Sequence, residues 1–192
     1  MTVTRGGTRG WRAGLVALLA GLALLGAEPP YKRTVEAYTV PDVTLVDQDG
    51  AKVPLRSLLA SDKVVVLDFI FGTCTTICPV LSAGYANLQQ RLGPRSADIR
   101  LVSISIDPEN DTPKVMREYL RRYRARPGWT FLTGKREDID RAMNAFNAYI
   151  PNKMSHYPLT LIRTPRSGAW TRVFGLMSTS EFLEECRKAG IQ

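Results

Sequence analysis

The sequence predicts an α/β sandwich: a central mixed sheet with helices on both faces and a β-hairpin at its N-terminal end. Three observations carry this. "KVVVLDFIF" (63–71) and "DIRLVSISID" (98–107) are nearly continuous apolar runs, the pattern of strands covered on both faces. Segments with apolar residues at helical spacing lie between and after them, so strand and helix alternate to the C-terminus. Ahead of them, "DVTLVDQDGAKVPL" (42–55) alternates apolar and polar residues on either side of Asp49-Gly50, a hairpin signal.

Taken in order, the chain opens with Arg5, Arg9 and Arg12 ahead of Ala13 to Ala27, fifteen residues without a charge. This reads as an export signal. A spanning helix wants roughly twenty apolar residues and a cleaved signal roughly seven to fifteen, so length favours cleavage, whereas Leu25 and Ala27 make a poor small-x-small cleavage site. Residues 1–27 are therefore a signal peptide, or a membrane anchor whose arginines stay in the cytoplasm. Either places the rest on the extracytoplasmic (periplasmic) side, tethered to the cell membrane or, after cleavage, free. No cysteine follows the apolar run to carry a lipid. Residues 28–39, "EPPYKRTVEAYT", read as an extended linker because prolines break helices and nothing in them is periodic. Residues 40–192 are one domain's worth of chain.

Past the hairpin, the strand over 63–71 is interrupted only by Asp68. From Pro79 onward Leu81, Tyr85, Leu88 and Leu92 mark a helix, and the strand at 98–107 follows. "DTPKVMREYLRRY" is a helix with Asp111 or Thr112 as N-cap and Pro113 in its first turn. A short strand "WTFL", a helix with Ile139, Met143, Phe146 and Ile150 on one face, and a strand "LTLIRT" come next. "RSGAWTRVF" supplies a turn and the last strand, and 178–188 a closing helix. Cys186 shares that helix's face with Phe182 and Leu183, where a free cysteine is a small buried hydrophobe.

Charge excludes one class of function. Of 26 basic and 18 acidic residues, only the three arginines fall within the first 27 positions, leaving 23 against 18, a formal +5. The basic residues are scattered or gathered on "REYLRRYRAR" (117–126) without the aromatic interleaving of a nucleic-acid groove, so no nucleic-acid partner is expected.

Chemistry concentrates at Cys74 and Cys78, behind the most apolar strand. Pro79 suits a first helical position, which makes Cys78 the cap of the helix and puts Cys74 in the loop before it. Unpaired backbone N–H groups there favour thiolate. A structural disulfide, a redox couple and a metal-binding pair are all open to this spacing. As a staple the pair would close a tiny loop and stabilise weakly, and the crevice after a central strand is where α/β sheets place reactive groups.

"FIFGTCTTICP" (69–79) resembles the metal-site motif of the Sco/SenC family, thioredoxin-like proteins implicated in delivering copper to cytochrome c oxidase. "SIDPENDTP" (105–113), "WTFLTG" (129–134) and "SHYPLTLI" (155–162) resemble the family's later segments in the same order. The resemblance implies a thioredoxin-like three-layer sandwich, and Cys74, Cys78 and His156 as ligands of Cu(I), Cu(II) or both. It also implies an oxidase subunit as acceptor and a thiol reductant to keep the cysteines open. Two thiolates and an imidazole are a donor set that suits copper, whereas structural zinc normally takes a fourth protein ligand. One departure stands out: Ser155 occupies the position before the histidine where family members commonly carry aspartate. Asp107 and Asp111 match acids of the pattern and are read here as helix caps.

A second function is written in the same residues. Asp68 stands six positions before Cys74, as a buried aspartate does in thioredoxins, and a desolvated carboxylate there would accept a proton from an attacking thiol. The alternative is an acid paired with Lys63 or turned to solvent. Pro158 resembles the thioredoxin cis-proline. A thiol-disulfide oxidoreductase with catalytic Cys74 and Cys78 therefore competes with the copper chaperone, although three residues rather than two separate the cysteines. No PxxxTxxC pattern surrounds Cys74, which argues against a peroxiredoxin-type peroxidase. A redox- or copper-sensing adaptor is the third class.

Overall fold

The computed structural model describes residues 1–2 and 30–191. The expected export segment lies outside the described residues, apart from its first two. No helix among those described is long and apolar enough to cross a membrane.

Among the described residues, eight strands form one mixed sheet: β1 (Lys32–Glu36), β2 (Thr44–Asp47), β3 (Lys52–Pro54), β4 (Val64–Ile70), β5 (Ile99–Ser105), β6 (Trp129–Thr133), β7 (Leu159–Arg163) and β8 (Trp170–Phe174). Five α-helices accompany them among the described residues: α1 (Leu55–Leu59), α2 (Cys78–Leu92), α3 (Pro113–Arg122), α4 (Arg136–Ala145) and α5 (Thr179–Lys188). The spatial order is β1-β8-β7-β4-β5-β6-β2-β3. β4, β5 and β6 run parallel; every other neighbouring pair is antiparallel.

The parallel core follows from composition. All seven residues of β4 are buried, because the α-helical crossovers to β5 and β6 cover one face of the sheet and the end of α4, at Phe146, packs on the other. Those crossovers, α2 and α3, share one face: the Ser82 and Tyr119 hydroxyls hydrogen bond at 2.7 Å between them. α5 joins that layer through Phe182 against Tyr85. On the opposite face Phe146, at the end of α4, packs on Phe69, Trp170 and Tyr38. The chain is thus the three-layer, thioredoxin-like α/β sandwich that the sequence predicts. The hairpin also forms where expected, with the Asp47 carboxylate accepting from the Asp49 and Ala51 amides and Gly50 at φ +85° closing the turn.

Two expectations need correction. The stretch read as linker runs extended, but Lys32–Glu36 pairs along its whole length with β8, so the sheet begins before Val40. Arg33 explains part of this: its Nε lies 2.8 Å from the Glu185 carboxylate, which is almost wholly buried on α5. The second concerns Pro158. No peptide bond among the described residues is cis, so the likeness to the thioredoxin proline does not extend to its isomer.

Candidate metal centre

The end of β4 delivers the chain into a tight turn in which the Cys74 amide bonds the Phe71 carbonyl. Helix α2 then starts at Cys78 with Pro79 behind it; its N-cap is Ile77, whose side chain makes no capping bond. Cys78 is therefore the first helical residue rather than the cap, and its amide donates to Cys74 Sγ at 3.4 Å. The sulfur of Cys74 takes the place of the missing capping oxygen.

This inverts the expected assignment of acidity. Cys74 is partly exposed. Its burial raises the thiol pKa, but hydrogen bonds from Cys78 and Thr76 outweigh that, and the net effect is a pKa below the ordinary thiol value. Cys78 is buried, and desolvation first, then the hydrogen bond to Cys74, push its pKa well up. One thiol is poised to ionise and its neighbour is held protonated. The helix N-terminus acts on the cysteine outside it.

His156 arrives from the other end of the chain, in the loop before β7, directly after a single 3-10 turn over Lys153–Ser155. Its Nδ1 lies 3.8 Å from Cys78 Sγ. The ring stands edge-on to Phe71 and stacks on Tyr157. Burial lowers its pKa, with the nearby Phe69 carbonyl opposing, so at neutral pH the imidazole is uncharged and offers a lone pair. Nε2 is buried without a hydrogen-bond partner, and the exposed Ser155 supplies no carboxylate to orient it. Among the described residues, no three His, Cys, Asp or Glu side chains are already gathered around a metal-sized space. The pair Cys78–His156 is assembled; Cys74 is turned to the helix amide.

Asp68 is fully buried, and neither of its oxygens has a hydrogen-bond partner. Desolvation pushes its pKa up to about 7, with Ser103, its register partner on β5, opposing the rise. Lys63 is not its partner, because the Lys63 ammonium bonds the Ala97 carbonyl. Asp68 also adds to the upward shift of Cys78, which places the two groups within electrostatic reach. Cys186 lies fully buried on α5, in the core as expected.

Of the two caps that the sequence offers for α3, Thr112 is the one used, and Asp107 and Asp111, read as caps, bind elsewhere. Asp111 accepts from the Gly72 amide at 3.1 Å and from Ser105 Oγ at 2.5 Å, holding the base of the cysteine loop. Asp107 forms an ion pair with Lys153 at 2.5 Å, and the Lys153 ammonium also lies over the Phe71 ring. One loop thus grips both the cysteine-bearing and the histidine-bearing segments. Local patterning cannot reveal this, because a carboxylate before a helix reads as a cap whatever it binds.

The SCO1/SenC family profile matches residues 32–181, which spans the whole sheet and every residue of the site. The chain belongs to the SCO1/SenC family. Relatives of this SCO1/SenC chain include the SCO1 protein homolog of Bacillus subtilis, 39% identical over 116 residues, and Protein SenC of Rhodobacter capsulatus, 33% identical over 119. These matches cover 59% and 62% of this chain, and 59% and 52% of the relatives, so the chain spans little more than half the length of the curated relatives it matches. Among solved structures, BsSco, described as a member of the Sco family of cytochrome c oxidase assembly proteins, is 30% identical with a TM-score of 0.67 over 81% of this chain and 95% of that one. Bradyrhizobium japonicum ScoI, solved with copper bound, shares the fold at 23% identity and TM-score 0.65, covering 80% and 99%.

Proposed function

We propose that this protein is an extracytoplasmic, membrane-tethered copper chaperone that passes copper to a cytochrome c oxidase subunit. The observation that carries the proposal is the approach of His156 Nδ1 to Cys78 Sγ, at 3.8 Å, beside a second sulfur already biased toward thiolate. Two soft sulfurs and a neutral imidazole suit copper in either oxidation state. In this reading Cys74, Cys78 and His156 are the ligands, and loading turns Cys74 Sγ away from the Cys78 amide. Binding to sulfur offsets the desolvation that otherwise keeps Cys78 protonated, so loading releases its proton. A three-ligand site leaves one side open, from which an acceptor's own ligands displace these in turn. A thiol reductant is required first, since an oxidised pair has no thiolates to offer. Membership of the SCO1/SenC family and the likeness to BsSco support the oxidase subunit as acceptor. The charge-free run from Ala13 to Ala27 supports export and tethering.

The test is an anaerobic Cu(I) titration of the reduced protein, counting bound metal and protected thiols. One copper protecting two thiols, with weaker binding in His156→Ala, is expected. Wild-type affinity in the Cys74→Ser, Cys78→Ser double variant overturns the proposal.

Asp68 favours a second reading, thiol-disulfide exchange with an exported protein. Cys74 would attack a target disulfide, forming a mixed disulfide and expelling the target's other sulfur as thiolate. Cys78 would then attack the Cys74 sulfur, giving its proton to Asp68, whose pKa near 7 suits it as acceptor. The target leaves reduced, and the Cys74–Cys78 pair leaves oxidised. The two readings part on His156, which exchange does not need.

A further inference from the structure

The chain enters the domain at the same end of the sheet that carries the metal centre. β4 finishes at Ile70, ahead of the cysteine loop, and β7, antiparallel to it, begins at that end with Leu159. β8 runs back and finishes with Phe174 opposite Leu159, and β1 reverses once more, with Lys32 opposite Phe174. The start of β1 therefore lies beside the loops that carry Cys74, Cys78 and His156.

That entry point is pinned to the domain. Tyr31 Oη and Arg33 Nε both donate to the buried Glu185 carboxylate, at 3.3 and 2.8 Å. Only residues 28–30 separate Tyr31 from the charge-free run that ends at Ala27. Four residues fully extended span at most about 14 Å, and a lipid headgroup layer takes roughly 5–8 Å of that. β4 by itself is seven residues, about 23 Å, long. A tether ending at Ala27 can bring the metal-bearing end to a bilayer but not the far end.

Surface composition points the same way, independently of the tether. Among the described residues, the large apolar side chains left exposed, Met1 and Val35 aside, are Val80, Tyr149, Met154, Phe174 and Leu176. Val80 lies in the first turn of α2, Tyr149 lines a cavity with Ile106 and Lys153, and the other three form a corner around the entry point. Phe174 shares a sheet face with its register partner Lys32, and its ring packs on Tyr157 with centroids 5.1 Å apart. Leu176 follows just past Gly175, and Met154, 72% exposed, sits in the turn that leads through His156 to Tyr157. Lys32 forms no ion pair among the described residues. Glu181, the acid nearest Leu176 along the chain, is bound to the Ser178 amide and hydroxyl. Exposed apolar side chains flanked by a free cation are the composition of an interfacial edge.

We propose that the corner formed by Lys32, Met154, Phe174 and Leu176 seats on the membrane surface, its apolar side chains among the headgroups and the Lys32 ammonium toward lipid phosphates. This rests on the tethered reading above and deepens it: the cysteine loop, two strands beyond β8, is held close to the bilayer, and the metal changes hands there. Seating by the outer edge of β1 instead would strip water from its unpaired backbone groups.

The test uses the full-length protein, with residues 1–27 retained, in nanodiscs of phosphatidylcholine and phosphatidylglycerol, with methionine and alanine methyl groups labelled for NMR. It needs no copper, so it stands apart from the metal site. Phosphatidylcholine spin-labelled at its headgroup should broaden the Met154 methyl and leave Ala60 and Ala97, which precede β4 and β5 at the far end, sharp. The double variant Lys32→Glu, Leu176→Ser should cut the Met154 broadening by roughly half while the protein stays on the disc. Equal broadening of Met154, Ala60 and Ala97, or Met154 broadening unchanged in the variant, overturns the seating. A sharp Met154 on disc-bound protein also overturns it and leaves the corner to a protein partner. Protein that elutes apart from the discs refutes the tether itself, and the seating falls with it.

Discussion

Replacing Asp68 by Asn should change how stability depends on pH, with a sign and size set by its burial. In the folded protein the carboxyl titrates at about 7 rather than 3.8, because desolvation by burial outweighs the opposing influence of Ser103. Between those values the unfolded chain releases the proton while the folded chain keeps it, so stability falls as pH rises. The contribution of the protonated acid is complete below pH 3.8 and lost by the time pH passes 7. A rise of roughly three pH units is worth about 4 kcal/mol. The assay is urea unfolding of the reduced wild type and Asp68→Asn at pH 4, 5.5, 7 and 8. The two proteins will differ in absolute stability, since an amide fills the site differently, but groups common to both cancel in the difference of slopes. Wild type should lose about 4 kcal/mol more than the variant between pH 4 and 8. Parallel curves would refute the argument and show that Asp68 is charged in the fold, with an unseen partner.

Three more outcomes follow from the geometry. Brief alkylation of the reduced protein near pH 7 should modify Cys74 first and leave Cys78 and Cys186 nearly untouched, as read by peptide mass; equal labelling of Cys78 would contradict its burial. Gly72→Ala places a Cβ 2.6 Å from Asp111 Oδ1, so it should destabilise the fold by about 1–3 kcal/mol in urea unfolding and displace the cysteine loop. Starting the chain at Val40 removes β1 and the Arg33 partner of Glu185. The loss of that ion pair alone should cost about 1 kcal/mol, discounted because Arg33 is 38% exposed and Lys188 still pairs with Glu185, and an unchanged Tm would show that β1 is dispensable.

Legibility in the sequence tracked how far each feature depends on distant chain. β4 and β5 were plain because burial on both faces leaves an apolar run in the sequence itself. β1 was not: "KRTVE" is exposed at four of its five positions, and only pairing with β8 makes it a strand. At the cysteines, a one-residue shift in the helix start exchanged the roles of the two thiols. Helix-terminal position argued for an acidic Cys78, but burial opposes that, and the amide found Cys74 instead. His156 is legible only through the likeness of its segment to the family's, since its chemical meaning comes from Cys78, 78 positions earlier in the chain. For Asp68 the sequence leaves a buried, raised acid and one paired with Lys63 or turned to solvent both open; burial, and the commitment of Lys63 to Ala97, decide for the first.

The loop after β5 acts as a caliper. Asp111 fixes one jaw at Gly72, and Asp107 fixes the other through Lys153, so the gap between sulfur and imidazole is gauged by side chains that touch neither. Lengthening Asp107 to Glu, or shortening the reach of Lys153, should reset that gap while the set of donor atoms stays the same. Under the chaperone proposal, editing this loop alone should favour or refuse a metal whose preferred bond lengths differ by about a few tenths of an ångström.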